Sequence, residues 1–229
     1  MKQTLIVLLL LFAGFPTVSP QVRLRSESNL PRPGDELLKE QIAWFEPGEA
    51  GENRSWDFSR IRLIDDACIV HYFTREDWQI IGAENGKLSF LAVSGDSLLL
   101  GGYETPADRV KYSPSGLLLR FPVTYGTVSR GRFAGRGKHH DRLESVVSGE
   151  IQTTADATGS LILPGNDTLS NVTRLHIRKT ESARYLPLSS RFAIDLPVSD
   201  DLFSGIEPEI IVTDTYQWYE EGYRYPGIQ

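Results

Sequence analysis

The chain has 229 residues, of which 40 % are hydrophobic and 24 % are charged, and its formal net charge is −6. That composition is typical of a globular protein, and the chain is long enough to bury a hydrophobic core. Because a nucleic-acid backbone is bound by strongly basic surfaces, the acidic balance argues against nucleic acid as a partner.

The N-terminal residues have the layout of a secretory signal. Lys2 supplies a positive charge, residues 5–12 form an unbroken apolar run, and a stretch rich in Pro, Thr and Ser follows up to Pro20. The apolar run is shorter than the ~20 residues of a membrane-spanning helix. We expect residues 1–20 to be a signal peptide and the protein to be exported to the periplasm, the outer surface or the medium. No later stretch reaches membrane length, so no transmembrane segment is expected after signal removal.

The chain contains one cysteine, Cys68, which excludes an intramolecular disulfide. Stability must therefore come from the hydrophobic core. His71 lies three residues further on, and in a strand these two side chains point to opposite faces. We therefore expect a buried, inert thiol rather than a catalytic one.

Residues 35–45, DELLKEQIAWF, fit two patterns. Leu38, Ile42 and Phe45 would form the apolar stripe of a helix with Asp35 as its N-cap. Alternate positions of the same stretch would instead share one face of a strand. The pattern alone favours the helix.

Beyond residue 45, apolar residues alternate with polar ones between turn signals, and no helical period is sustained. The strands predicted from this alternation are residues 87–93, 97–100, 117–123, 142–156, 161–163, 172–179 and 209–219. Gly149 is expected to form a bulge in the longest of them. The expected fold is all-β: an antiparallel β-sandwich, with a jelly roll as a variant. We expect a single domain over residues 21–229, with two small β domains as the alternative.

Three segments carry recognisable motifs. Residues 33–61 contain Gly-x-Asn-x-x-Trp-Asp-Phe-Ser, residues 155–176 begin with Ala-Asp-Ala-x-Gly-x-Leu-x-Leu-Pro, and residues 215–227 end in Tyr-Pro-Gly. With residues 121–126, they resemble an uncharacterised group of exported, β-rich proteins of the Bacteroidetes. The resemblance implies export, a β-rich fold and a strand over residues 37–45. It implies no mechanism, because that group has no assigned activity.

Residues 133–142, FAGRGKHHDR, concentrate basic and metal-binding residue types. The stretch lacks the Gly-Lys-Ser/Thr ending of a phosphate-binding loop. A zinc site needs three or four converging ligands, whereas adjacent His139 and His140 would point to opposite faces of a strand. A basic binding loop remains, extended by a second stripe of Arg174, His176 and Arg178. The alternative, which we favour, is a solvated turn between two strands whose charges protect a sheet edge.

The candidate binding residues come from two regions. The basic loop provides Arg132, Arg136, Lys138, His139 and His140. The C-terminal aromatic cluster provides Tyr216, Trp218 and Tyr223, which could stack on sugars or could close the core instead.

No catalytic residue, metal ligand or cofactor is predicted, and no Gly-x-Ser-x-Gly motif is present. We therefore expect a non-catalytic binding or surface-assembly module of the cell envelope. Its expected partner is an envelope glycan, an acidic polysaccharide or a surface protein. The alternative is a carbohydrate-active hydrolase, whose pair of carboxylates the sequence does not identify.

Overall fold

The computed structural model describes residues 23–64, 67–165, 167–187 and 207–229. The signal peptide predicted over residues 1–20 lies outside the described residues. The described chain is almost wholly β-structure, with one helix of four residues, Ser26–Asn29. The strands are β1 (Glu36–Lys39), β2 (Gly51–Asp57), β3 (Cys68–Arg75), β4 (Trp78–Glu84), β5 (Lys87–Ser94), β6 (Ser97–Glu104), β7 (Asp108–Arg120), β8 (Val128–His139), β9 (Leu143–Ile162), β10 (Thr168–Pro187) and β11 (Glu209–Glu220). No helix in these ranges is long and apolar enough to cross a membrane.

The eleven strands form one sheet in which neighbours along the chain are mostly neighbours in space. β1 pairs with β3, and from β3 to β11 each strand pairs antiparallel with the next. β2 lies off this path and pairs parallel with the C-terminal part of β9. The predicted all-β, antiparallel fold is confirmed.

The sheet folds over on itself and buries its concave side, as the layers of a sandwich do. One core cluster joins Ile80, Leu91 and Leu98 of β4–β6 to Leu175 and Tyr219 of β10 and β11. These strands are distant in the sheet order, so their contact requires the two ends of the sheet to face each other. The first and last thirds of the sheet therefore form the two layers around this cluster.

Two further clusters complete the core. One packs Trp56 of β2 and Phe58, which directly follows that strand, against Trp218 of β11. The other packs Tyr112 of β7 against Phe133 of β8, with rings stacked at 4.5 Å. Aromatic side chains thus supply much of the core, as their large apolar area favours.

The ambiguous segment 35–45 is not helical. Residues Glu36–Lys39 form β1, and an isolated bridge between Ile42 and Leu63 follows. The strand expected over residues 37–45 is therefore real but shorter. The helical pattern was misleading because Leu38, part of the apolar stripe, is 72 % exposed.

The strand predictions further along the chain are confirmed, mostly with longer strands than expected; the strand predicted over residues 117–123 is the end of β7 and stops at Arg120. Residues 87–93 and 97–100 form the hairpin of β5 and β6. Residues 142–156 and 161–163 are parts of one strand, β9, and residues 172–179 lie inside β10. The long strands continue because each has partners on both sides.

Gly149 does not form the expected bulge. It lies opposite Phe133 on one side and Glu181 on the other, in unbroken register. The register of β9 and β10 shifts instead at two other places, between Leu169 and Val172 and between Arg174 and Leu175. Gly149 is instead required by close packing, because a Cβ atom there would overlap the carbonyl oxygen of Thr180.

Candidate functional site

Several of the basic residues singled out in the sequence lie on one face of strands β8–β11. We define the outer face as the even-numbered residues 130–138 of β8, 144–152 of β9, 178–186 of β10 and 210–214 of β11. Odd-numbered neighbours such as Phe133, Val147 and Ala183 point into the core, because side chains alternate along a strand. None of the even-numbered members is buried.

The strand register arranges the outer face in rows that run across the strands. One row joins Arg136 on β8, Val146 on β9 and Arg184 on β10. Another row joins Arg130 on β8, Gln152 on β9 and Arg178 on β10. Since neighbouring strands lie about 4.8 Å apart, the two backbone positions in each pair are separated by about 10 Å.

The outer face is basic, although the chain as a whole is acidic with a net charge of −6. Its cations are Arg130, Arg132, Arg136, Lys138, Arg178 and Arg184, and its anions are Glu144, Glu150 and Asp214. Six positive charges against three negative ones leave a positive surface, which favours contact with an anionic partner.

Several of these cations have acidic neighbours. A guanidinium nitrogen of Arg136 lies 2.8 Å from Oε1 of Glu144, and Nε of Arg132 lies 3.8 Å from Oε2 of Glu150. The Arg132 side chain is 89 % exposed and that of Arg136 is 74 % exposed. Ion pairs this open to water contribute about 0–1 kcal/mol, so a ligand can displace the carboxylates at little cost.

The centre of the outer face is lined by small polar side chains. Ser148 lies opposite Ser182, and Glu150 lies opposite Thr180. These residues and Arg132 border a shallow depression of about 380 Å³. Hydroxyl groups between exposed arginines can hydrogen-bond a polar chain lying across the strands.

The two histidines leave the outer face. His139 ends β8, and its Nδ1 lies 2.9 Å from Oδ1 of Asp108. His140 and Asp141 have φ angles of 48° and 54° and form the turn to β9. That turn brings the two imidazole rings to within 4.4 Å of each other, unlike the opposed arrangement expected for a continuous strand. Lys138 stays on the outer face, 3.9 Å from Asp141.

The stretch 133–142 is therefore mostly strand rather than a solvated turn. Residues up to His139 belong to β8, and only the next three residues turn. β8 also pairs with β7 and with β9, so its charges do not protect a sheet edge.

Arg174, expected in a second basic stripe, is 1 % exposed. Its guanidinium makes two 2.9 Å contacts with the carboxylate of Asp156 and donates hydrogen bonds to the carbonyls of Pro47 and Gly48. Arg178 keeps its place on the outer face. The contribution of β10 to the basic surface therefore comes from Arg178 and from Arg184, which the sequence did not single out.

The C-terminal aromatic residues do not form one platform. Trp218 is 4 % exposed and belongs to the core. Tyr216 is half-buried, with its ring stacked on His176 at 4.5 Å. Tyr223 is 63 % exposed and lies in the turn after β11. Of the three, only Tyr223 presents a largely free ring.

The remaining candidates for reactive or metal-binding sites are Cys68, His71 and clusters of metal-ligating side chains. Cys68 is half-buried rather than buried, and the Nδ1 of His71 contacts Oε1 of Glu36 at 3.1 Å. Within the described ranges, no three His, Cys, Asp or Glu residues converge as metal ligands would.

No protein-family model matches the chain, and comparisons with curated proteins and with solved structures find no match.

Proposed function

We propose that the chain is an exported, non-catalytic binding module of the cell envelope, and that its outer face binds an anionic polysaccharide. The observation that carries this proposal is the charge of that face, six cations against three anions on a chain of net charge −6. Export is supported by the N-terminal sequence alone, namely Lys2 and the apolar run that follows it.

The shape of the outer face favours an extended polymer over a compact ligand. The face is a broad sheet surface with a shallow depression beside Ser148 and Ser182. Arginines lie at both ends of a row, at Arg136 and Arg184, with the uncharged Val146 between them. A chain with repeated carboxylates can meet both ends of such a row, because guanidinium groups bind carboxylates in a bidentate manner.

The hydrolase alternative has no comparable observation in its favour. Glycoside hydrolysis needs two carboxyl groups on either side of the scissile bond. Glu144 and Glu150 instead lie on the same side of one strand, and both are close to arginines.

The test is a binding titration with polygalacturonate as the probe and neutral dextran as its uncharged counterpart. The wild-type chain is expected to bind polygalacturonate and not dextran. Affinity should fall as ionic strength rises from about 0.01 M to about 0.15 M, since the Debye length shrinks from about 30 Å to about 8 Å.

A matched pair of double variants locates the binding surface. Arg136→Ser with Arg184→Ser removes both ends of one row, and we expect at least about a tenfold loss of affinity, equivalent to about 1.4 kcal/mol. Arg75→Ser with Arg120→Ser removes the same charge from the exposed ends of β3 and β7 and should leave affinity nearly unchanged. If both double variants lost affinity equally, the net charge of the protein would explain binding without a specific surface. If the wild type did not bind polygalacturonate, the proposal would be refuted.

A further inference from the structure

A cavity of about 450 Å³ opens on the concave side of β3, β4 and β5, away from the outer face. Val70 and Leu91, which are 2 % and 8 % exposed, give it an apolar floor. Its other lining residues are Tyr72, Gly82, Glu84, Asn85, Lys87, Ser89 and Gln229. Both the volume and this mixture of apolar surface with a few polar groups are typical of small-molecule sites.

The Tyr72 ring forms a fixed wall of the cavity. It stacks on Tyr225 with ring centroids 5.3 Å apart and an interplanar angle of 15°. The hydroxyl of Tyr225 donates a 2.8 Å hydrogen bond to Asp35, which holds the stack in place. A flat, rigid aromatic surface beside hydrogen-bonding groups suits the apolar face of a sugar ring.

Lys87 lines the cavity, and a second ammonium group, that of Lys179, lies over the same aromatic ring as Lys87 without lining the cavity. The ammonium group of Lys87 lies 5.7 Å from the centre of the Tyr103 ring, and that of Lys179 lies 5.5 Å from the same centre. Lys179 is neutralised, because its Nζ lies 2.7 Å from Oε2 of Glu181. The Glu181 carboxylate also accepts a 2.8 Å hydrogen bond from the hydroxyl of Tyr112.

Lys87 has no such partner among the described residues. Glu84 lies directly opposite it in the sheet, but the Glu84 carboxylate is 2.9 Å from the ammonium group of Lys39. The Lys87 residue as a whole is exposed at the cavity mouth. Even so, desolvation of its ammonium group lowers the pKa of Lys87, and the positive charge of Lys179 lowers it further, while the carboxylates of Glu181 and Glu84 oppose the shift.

We propose that this cavity binds a small sugar acid whose carboxylate is held by Lys87. The ring of the ligand lies against Tyr72, and its hydroxyl groups meet polar side chains such as Ser89 and Asn85. A carboxylate at this position balances the charge of Lys87, since Glu84 is paired with Lys39 and Glu181 with Lys179. The site is separate from the outer face, and the proposal does not depend on the function proposed there.

The experiment is an NMR titration of the purified protein with sodium D-glucuronate, D-glucose and inorganic phosphate in parallel. Backbone amide signals of cavity residues such as Gly82 and Ser89 should shift saturably with glucuronate and remain unchanged with glucose. The bound carboxylate stabilises the charged form of Lys87, so the pKa read from its Cε signal should rise on saturation.

Three single variants test whether the positive charge at position 87 holds the ligand. Lys87→Gln should weaken glucuronate binding at least about tenfold, and Lys87→Arg should retain most of it. Lys111→Gln is the matched control: Lys111 also lies over an aromatic ring, that of Trp78 at 5.9 Å, but outside the cavity. Lys111→Gln should leave the affinity for glucuronate unchanged.

Results of two kinds would overturn the proposal. One is an absence of saturable shifts with glucuronate, or shifts that survive Lys87→Gln unchanged. The other is binding of phosphate as tight as that of glucuronate, because the sugar ring would then contribute nothing and the site would recognise any small anion.

Discussion

The guanidinium group of Arg174 is enclosed by a carboxylate and by aromatic rings. Besides Asp156, it has three aromatic rings within 6 Å, with centroids 5.7 Å away for Trp56, 5.2 Å for Tyr216 and 5.9 Å for Trp218. The Asp156 side chain is 14 % exposed. A buried ion pair is tolerated when such contacts replace the lost water, and removing one partner leaves the other charge buried and unpaired.

We therefore predict that Arg174→Met lowers the free energy of unfolding by about 3–5 kcal/mol. The matched control is Arg178→Met, since the exposed ion pair of Arg178 with Asp214 contributes about 0–1 kcal/mol. Urea unfolding followed by tryptophan fluorescence measures both changes. Adding Asp156→Leu to Arg174→Met should recover part of the loss. Equal small effects in the two single variants would contradict the assignment of Arg174 as a buried charge.

At the scale of the strands, Gly149 is the position where β9 has no room for a side chain. A Cβ atom there would overlap the carbonyl oxygen of Thr180 on β10 and would lie 2.7 Å from the Phe133 ring of β8. The strand is central, with a paired neighbour on each side, so the backbone cannot move away from one without disturbing the other. Glycine is required here by packing rather than by a special φ angle.

We predict that Gly149→Ala destabilises the protein by about 3 kcal/mol, because overpacking a central position forces the strands apart. Gly227→Ala should be close to neutral, since a Cβ atom at that position meets no atom within 4 Å. Thermal unfolding measured by circular dichroism compares the two. A neutral Gly149→Ala would show that β9 and β10 can separate locally without loss of packing.

At the scale of the whole molecule, the core clusters join distant parts of the sheet. Leu98 of β6 and Leu175 of β10 belong to one cluster, while Trp56 and Trp218 lie in another. β9, β10 and β11 contribute to both. Strands shared between clusters are expected to couple the clusters energetically.

We predict a single unfolding transition in urea, with tryptophan fluorescence and far-ultraviolet circular dichroism changing together. Leu175→Ala, at a fully buried position, should cost about 2–5 kcal/mol and lower the midpoint of both signals equally. Two separated transitions, or a shift in one signal alone, would favour the alternative of two small β domains.

Prediction from the sequence succeeded where the signal was local. The alternation in residues 142–156 correctly indicated a strand, because a strand with one buried face repeats every two residues, and every second residue from Ser145 to Val147 and from Ile151 to Ala155 is buried. It failed at residues 35–45, where a helical spacing of apolar residues coincided with a short strand at the end of the sheet. It also placed Arg174 with His176 and Arg178, since alternation gives the face of a residue but not what covers that face.

The candidate outer face was predicted in part. Arg132, Arg136 and Lys138 stood out because they lie close together along the chain. Arg184 did not, because its neighbour Arg136 is 48 positions away in sequence and is brought near only by the pairing of β8–β10. The carboxylates of Glu144 and Glu150 were likewise overlooked, so counting charge within one segment overstated how basic it is.

The sequence by itself determined the all-β class, the positions of most strands and the absence of an internal disulfide, since each follows from local periodicity or from a residue count. Only the tertiary structure decided which charges are exposed, which are paired and where a cavity forms. Arg174 and Arg178 have the same side chain and the same strand parity, yet one is enclosed and the other lies open to water. That difference arises from elements packed over one end of β10, because burial depends on contacts between residues far apart in the chain.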